Sequence, residues 1–192
     1  MSPCLRAPCQ LSVPADIIVI AVARSEEGGI PGRSTPFHGG FGMINLWDMP
    51  KPSMRAFSML NMLSDTEAAV TLSGAPAIPS LTTLASVVPG ANCTIVLSNH
   101  LAVGLPDPPV VIIGKISATG LGFTPRNAKL ARIDGNHTNP HKAWLAMGSP
   151  DYPTPAQQQV LMAASEMAWV PMALDEPLTV PAHGTVAIVL SA

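Results

Sequence analysis

At 192 residues, with 47% hydrophobic and 11% charged side chains, the chain has a globular composition and room for one domain, or one domain plus a piece of another. A formal net charge of −2 with only ten scattered Lys and Arg excludes a nucleic-acid partner, and the apolar run Ile17 to Ala23 is far short of the roughly twenty residues that cross a bilayer, which excludes a membrane partner. Twenty-one prolines and fifteen glycines, spread along the chain, predict many short segments joined by turns and favour a mainly β architecture.

In chain order, residues 1–16 carry Pro3, Pro8 and Pro14 without periodicity and read as an irregular lead. Ile17 to Ala23, IIVIAVA, is short, continuous and β-branched, the pattern of a strand buried on both faces. It ends in Glu26-Glu27-Gly28-Gly29, and no secretory h-region follows Met1, so no compartment is assigned. Thr35 to Phe57 is the stretch densest in unusual choices. Gly39, Gly40 and Gly42 predict backbone at positive φ or a close approach, and they place Phe37 and His38 at the mouth of a constrained loop. Pro52 suits the first turn of a helix running to about Ser64, with Met54, Phe57, Leu60 and Leu63 as its apolar stripe. Residues 17–66 thus form one strand-loop-helix unit, which cannot bury itself alone.

The character changes near residues 65–68. Within 67–192, residues 68–73, 92–99, 109–117, 127–134 and 184–191 read as strands between Pro and Gly turns, the spacing of a β-sandwich. One helix is inserted near 154–166. Thr154 caps it, Pro155 takes the first turn, Gln157 completes a capping box, and Val160, Leu161 and Ala164 form the expected buried face.

Candidate chemistry is sparse. Glu26 and Glu27 are adjacent carboxylates, but neighbours on an extended chain point to opposite faces, so they cannot flank one sugar bond as a glycosidase pair must. At most one of them points into a site, as an acceptor for hydroxyl groups. His38 lies beside an aromatic without a nearby acid, Asn139-Pro140 opposes a helix that would align His137 with His141, and His100 and His183 fall in turns with no role assigned. Cys4, Cys9 and Cys93 have neither disulfide nor zinc spacing, and no phosphate loop, GxSxG or dinucleotide fingerprint occurs. No cofactor or metal is called for. Asn92-Cys93-Thr94 and Asn136-His137-Thr138 match the glycosylation pattern, which matters only on the secretory route.

Two blocks taken together resemble the carboxy-terminal part of glycoside hydrolase family 39, the β-xylosidases and α-L-iduronidases. The first is Glu26-Glu27-Gly28-Gly29, then Pro36-Phe37-His38-Gly39-Gly40-Phe41-Gly42 and Lys51-Pro52. The second is Arg132-Ile133-Asp134, Asn136, Pro140, Trp144, Met147 to Thr154, and Gln157. The resemblance covers residue 24 to the end. It implies that residues 17–66 correspond to the last unit of an incomplete (β/α)8 barrel, a fold of about 250 residues, and that the rest is the β-sandwich packed on it. It also implies a retaining, metal-free glycosidase whose acid/base and nucleophile glutamates lie upstream and have no counterpart here, so that the chain by itself has no catalytic residue. Glu26, Glu27, Phe37 and His38 would then line a substrate-binding sugar subsite, with carbohydrate as the parent enzyme's partner. A non-catalytic module that binds carbohydrate or protein is the alternative. The Pro52 helix should then leave Phe57, Leu60 and Leu63 much less buried than in a family barrel, unless the sandwich or the Ile17 to Ala23 strand folds over to cover them, and a homo-oligomer or the missing barrel portion is the expected partner.

Overall fold

The structure, a computed structural model, describes residues 37, 42–45, 47–73, 78–102 and 104–192. The expected strand at Ile17 to Ala23, the irregular lead, and the sites proposed at Glu26, Glu27 and His38 lie outside the described residues. What is described is mainly β. A helix α1 (Pro52–Leu60) precedes β1 (Leu81–Val88), β2 (Asn92–Asn99), β3 (Val111–Ile113) and β4 (Asn127–Ile133). Helices α2 (Pro140–Ala146) and α3 (Pro155–Ser165) follow, then β5 (Val170–Pro171), β6 (Leu178–Val180) and β7 (Gly184–Ser191).

Five strands form one sheet in the order β1-β2-β7-β4-β5, and every pairing in it is antiparallel. β3 and β6 form a separate antiparallel pair. Because side chains alternate along a strand, β2 sends Cys93, Ile95 and Leu97 to one face and Val96 to the other. On the first face they meet Leu130, Val186, Ile188 and Leu190 of the large sheet and Val111, Leu178 and Val180 of the small one. On the opposite face Val96, Ala131, Ile133 and Ala187 receive Met59 of α1, with Leu63 and Trp169 alongside. Both faces of the large sheet are therefore covered.

The strands expected at 92–99 and 184–191 have those bounds in the structure, and the strand expected at 127–134 stops one residue earlier. Residues 68–73 do not form a strand. Their neighbourhood runs beside the edge of β1, where Ala68 N–H donates to the Ala85 carbonyl at 2.9 Å and Val87 N–H to that of Thr66 at 2.9 Å. The run expected at 109–117 contracts to three residues, since its partner β6 offers only three for pairing. β1, LTTLASVV, was not foreseen because its small and hydroxylated residues break the apolar pattern. It pairs with β2 along its full length through a turn at Pro89-Gly90-Ala91, with Gly90 at φ 75°.

The helices differ from expectation in detail. α1 ends at Leu60 rather than Ser64, and its buried residue is Met59, while Phe57 and Leu60 remain 43% and 40% exposed. The predicted stripe is thus rotated: the sheet accepts Met59, Ala56 and Leu63. α3 carries the complete capping box, with Gln157 N–H donating to Thr154 Oγ1 at 3.3 Å and Thr154 N–H to Gln157 Oε1 at 2.9 Å. Of its expected buried face, Leu161 is fully buried and Val160 is exposed. α2 corrects the reading of Pro140 as a helix opponent. Pro140 occupies the first turn, and it is Asn139 before it that is held out of helical geometry and caps the helix by accepting from Lys142 N–H at 3.1 Å. Among the described residues, no helix is long and apolar enough to cross a membrane.

Candidate functional site

The loop that presents Phe37 is braced immediately downstream. The buried Asn45 side chain accepts from the backbone N–H groups of Trp47 and Met49, each at 3.0 Å, closing an Asx turn. Ile44 bridges to Pro50 and Lys51 N–H donates to the Met43 carbonyl at 2.8 Å, so residues 43–51 form a narrow reversal that feeds directly into α1. Gly42 has φ 92°, as the cluster of glycines led one to expect. α1 is then tied to the end of α3. Arg55 Nε donates to the Ser165 carbonyl at 2.9 Å, and its guanidinium pairs with Glu166 Oε1 at 2.5 Å.

Phe37 is half-buried, and its surroundings come from the second sequence block. Its ring lies 5.5 Å from His141 and 5.5 Å from Trp144, centre to centre, tilted by 47° and 49°. His141 stacks on Trp144 at 5.7 Å. The indole is oriented by its N–H, which donates to the Pro150 carbonyl at 2.9 Å, and Ser149 N–H returns to the Trp144 carbonyl at 3.0 Å. Ser149 sits at φ 56° and Gly148 at φ 86°, the left-handed pair that turns the chain from α2 toward Tyr152, whose surface is 73% exposed. The structure therefore brings Phe37 together with Trp144, more than a hundred residues away, and with His141, which no motif singled out for this contact.

A polar turn precedes α2, the helix that carries His141 and Trp144. The Asp134 carboxylate accepts from Asn136 N–H at 2.7 Å, from His137 N–H at 2.9 Å and from His137 Nδ1 at 2.9 Å. Burial alone would raise its pKa, but these hydrogen bonds outweigh it and hold the carboxyl below its usual value. Thr138, at φ 53°, donates its hydroxyl to the Arg132 carbonyl at 2.6 Å, locking the turn to the end of β4. Next to it, α2, α3 and the β4 edge enclose a cleft of about 500 Å3 with Arg132, Asn136, Lys142 and Glu166 among its polar lining and Leu130 and Ala163 among its apolar lining. Arg132, Asp134 and Asn136 belong to the second sequence block, and their common position at one end of β4 is what ties that block to a single turn.

Neither the cleft nor the aromatic trio carries a pair of carboxylates poised across a substrate bond. Among the described residues, no group of three or more His, Cys, Asp or Glu converges to hold a metal ion. Cys93 is a buried free thiol whose pKa burial pushes up, which leaves it unreactive.

A profile of glycosyl hydrolases family 39 matches residues 29–184. A β-xylosidase of Caldicellulosiruptor saccharolyticus is 35% identical over 136 residues, which are 70% of this chain and 26% of that protein. Among solved structures, a family 39 β-xylosidase of Caulobacter crescentus superposes with a TM-score of 0.60 at 25% identity, covering 83% of this chain and 32% of its own. A family 39 enzyme of Xanthomonas axonopodis pv. citri, at 20% identity and a TM-score of 0.53, shares the fold over 82% of this chain and 33% of its own. The chain thus spans about a quarter to a third of the length of these relatives. With the matched profile running from Gly29 of the first sequence block through the whole of the second and the strands between them, the chain belongs to glycosyl hydrolase family 39.

Proposed function

We propose that this chain corresponds to the carboxy-terminal portion of a retaining glycosidase acting on β-xylosides or α-L-iduronides, and that it does not hydrolyse glycosides by itself. In this reading the two-layer β unit is the accessory sandwich of a (β/α)8 enzyme, and residues 17–66 are the last unit of its barrel. Glu26, Glu27 and His38 line the rim of the sugar pocket, and Phe37 provides an aromatic shelf held by Trp144 and His141. The double-displacement step needs two carboxyl groups about 5 Å apart, which this reading assigns to glutamates of the upstream barrel. The observation that carries the proposal is that family membership extends over residues 29–184 while the matched segments cover only 26% and 32% of the relatives' own length.

The purified chain, incubated with an aryl β-xyloside, should release no more aglycone than buffer. Clear hydrolysis that Glu26→Gln or Glu27→Gln abolishes would overturn the proposal. The second reading, a binding module without catalysis, is favoured by one feature: the rings of Phe37, His141 and Trp144 gathered in one cluster, the kind of group on which sugars stack. Calorimetric titration with xylo-oligosaccharides separates the two, since heat that disappears in Trp144→Ala supports a module and a flat titration removes it.

A further inference from the structure

Arg132 lines the cleft between β4, α2 and α3 with a guanidinium that has no counter-charge. Alternation along β4 sends Ala131 and Ile133 toward α1, so Leu130 and Arg132 share the other face of the strand. The Arg132 side chain is half-buried, yet among the described residues nothing accepts a hydrogen bond from it or pairs with it. Taking a cation even partly out of water is unfavourable unless an anion meets it.

The carboxylates nearby are engaged elsewhere. Glu166, on the same cleft, takes the Arg55 guanidinium at 2.5 Å. Asp134 spends its oxygens on Asn136 and His137. Glu176 shares a second, smaller cleft with Arg132 but forms no ion pair with it. Lys142 adds a further cation to the lining, its ammonium donating only to the neutral Asn136 Oδ1 at 2.5 Å.

The remaining lining offers little to a polar ligand. The Thr138 hydroxyl is committed to the Arg132 carbonyl, and the Asn139 amide to Gly135 O and Lys142 N–H. Leu130, Ala143, Ala163 and Val170 are apolar. At about 500 Å3 the cleft falls within the roughly 300–1,000 Å3 that holds a small molecule. A planar guanidinium matches both oxygens of a carboxylate at once. A sugar would set its hydroxyl groups against the apolar wall without partners, whereas an apolar ring would not.

We propose that this cleft binds a small carboxylate carried on an apolar ring, the benzoate class. Arg132 grips the carboxylate, Lys142 adds attraction, and Leu130, Ala143, Ala163 and Val170 meet the ring. The proposal does not rest on the glycosidase reading.

The nitrogen-15-labelled full chain titrated with sodium benzoate should show saturable NMR shifts at the amides of Asn136, Ala143 and Ala163. Benzyl alcohol, the neutral counterpart, and sodium phosphate, an anion without a ring, should each bind at least about tenfold more weakly. Arg132→Gln should weaken benzoate by about tenfold or more, and Arg132→Lys should recover part of that loss. Ala163→Leu fills the cleft while keeping the guanidinium, and it should remove binding. No saturable shift with benzoate, shifts centred elsewhere, benzyl alcohol or phosphate bound as tightly as benzoate, or unchanged binding in Arg132→Gln would overturn the proposal. Circular dichroism of each variant separates lost binding from lost folding, and the three-ligand comparison reads the unaltered chain directly.

Discussion

At the scale of single residues, the turn after β4 is where the family's second block acquires a physical meaning. Asp134 is an anchor that collects two backbone N–H groups and one imidazole, and each of those donors would be stranded if the carboxylate were removed. Its folded pKa is depressed, so its contribution is present above the ordinary carboxylate pKa and is lost as pH falls through the folded value. Asp134→Asn keeps an acceptor oxygen and removes only the charge, so it should cost about 1 kcal/mol at neutral pH. The gap between variant and parent should close as pH drops below the ordinary carboxylate range, in urea melts followed across pH. A gap that stays constant with pH would show that the carboxylate's charge is not what holds the turn. Phe37 supplies the other lesson at this scale. Its aromatic character stood out in the sequence, but its partners His141 and Trp144 could not be named from it, because ring contacts across such a separation exist only once the chain has folded.

Among the elements, α3 and α1 behave oppositely. α3 follows its local code: Thr154, Pro155 and Gln157 specify its start through hydrogen bonds that involve only neighbours in sequence. Thr154→Ala should cost about 1 kcal/mol in thermal unfolding, and Thr154→Ser should recover most of it. Equal losses for both would show that the hydroxyl is not the capping group. α1 also starts as its proline indicates, but which of its faces is buried depends on what the sheet presents. The sheet offers Val96, Ala131 and Ala187, small enough to admit the long flexible side chain of Met59, so Met59 enters and Phe57 stays at the surface. Helical periodicity alone could not choose between these two adjacent positions, since each belongs to an apolar stripe.

For the whole molecule, the exposed Phe57 and Leu60 form an apolar patch on a helix that is otherwise anchored to the sheet. Within this chain, replacing both with Ser should change stability by no more than about 0.5 kcal/mol each, because neither side chain is buried. On the proposed reading, in which a barrel packs against this helix, the same pair should be clearly destabilising in a longer family protein, by the loss of a buried apolar contact. Parallel thermal melts of the two proteins check this. A large loss in the short chain would mean that the patch is covered within it.

What the sequence determined on its own was the family, through two blocks of ordered motifs, and the elements whose signals are local. β2 and β7 announced themselves as dense β-branched runs, α3 by its capping box, and Gly42 by the backbone freedom that its positive φ uses. Only the tertiary structure decided the rest. β1 is a strand because β2 supplies a full ladder to its small and hydroxylated residues, and 68–73 is not one because it has no such ladder. His100 and His183, which the sequence left in unrelated turns, face each other because the register of β2 on β7 carries them to adjacent positions. The physical reason is common to all three. A cap or a turn is satisfied by groups a few residues away, whereas a register, a buried face or a facing pair is set by partners that distant parts of the chain bring into contact.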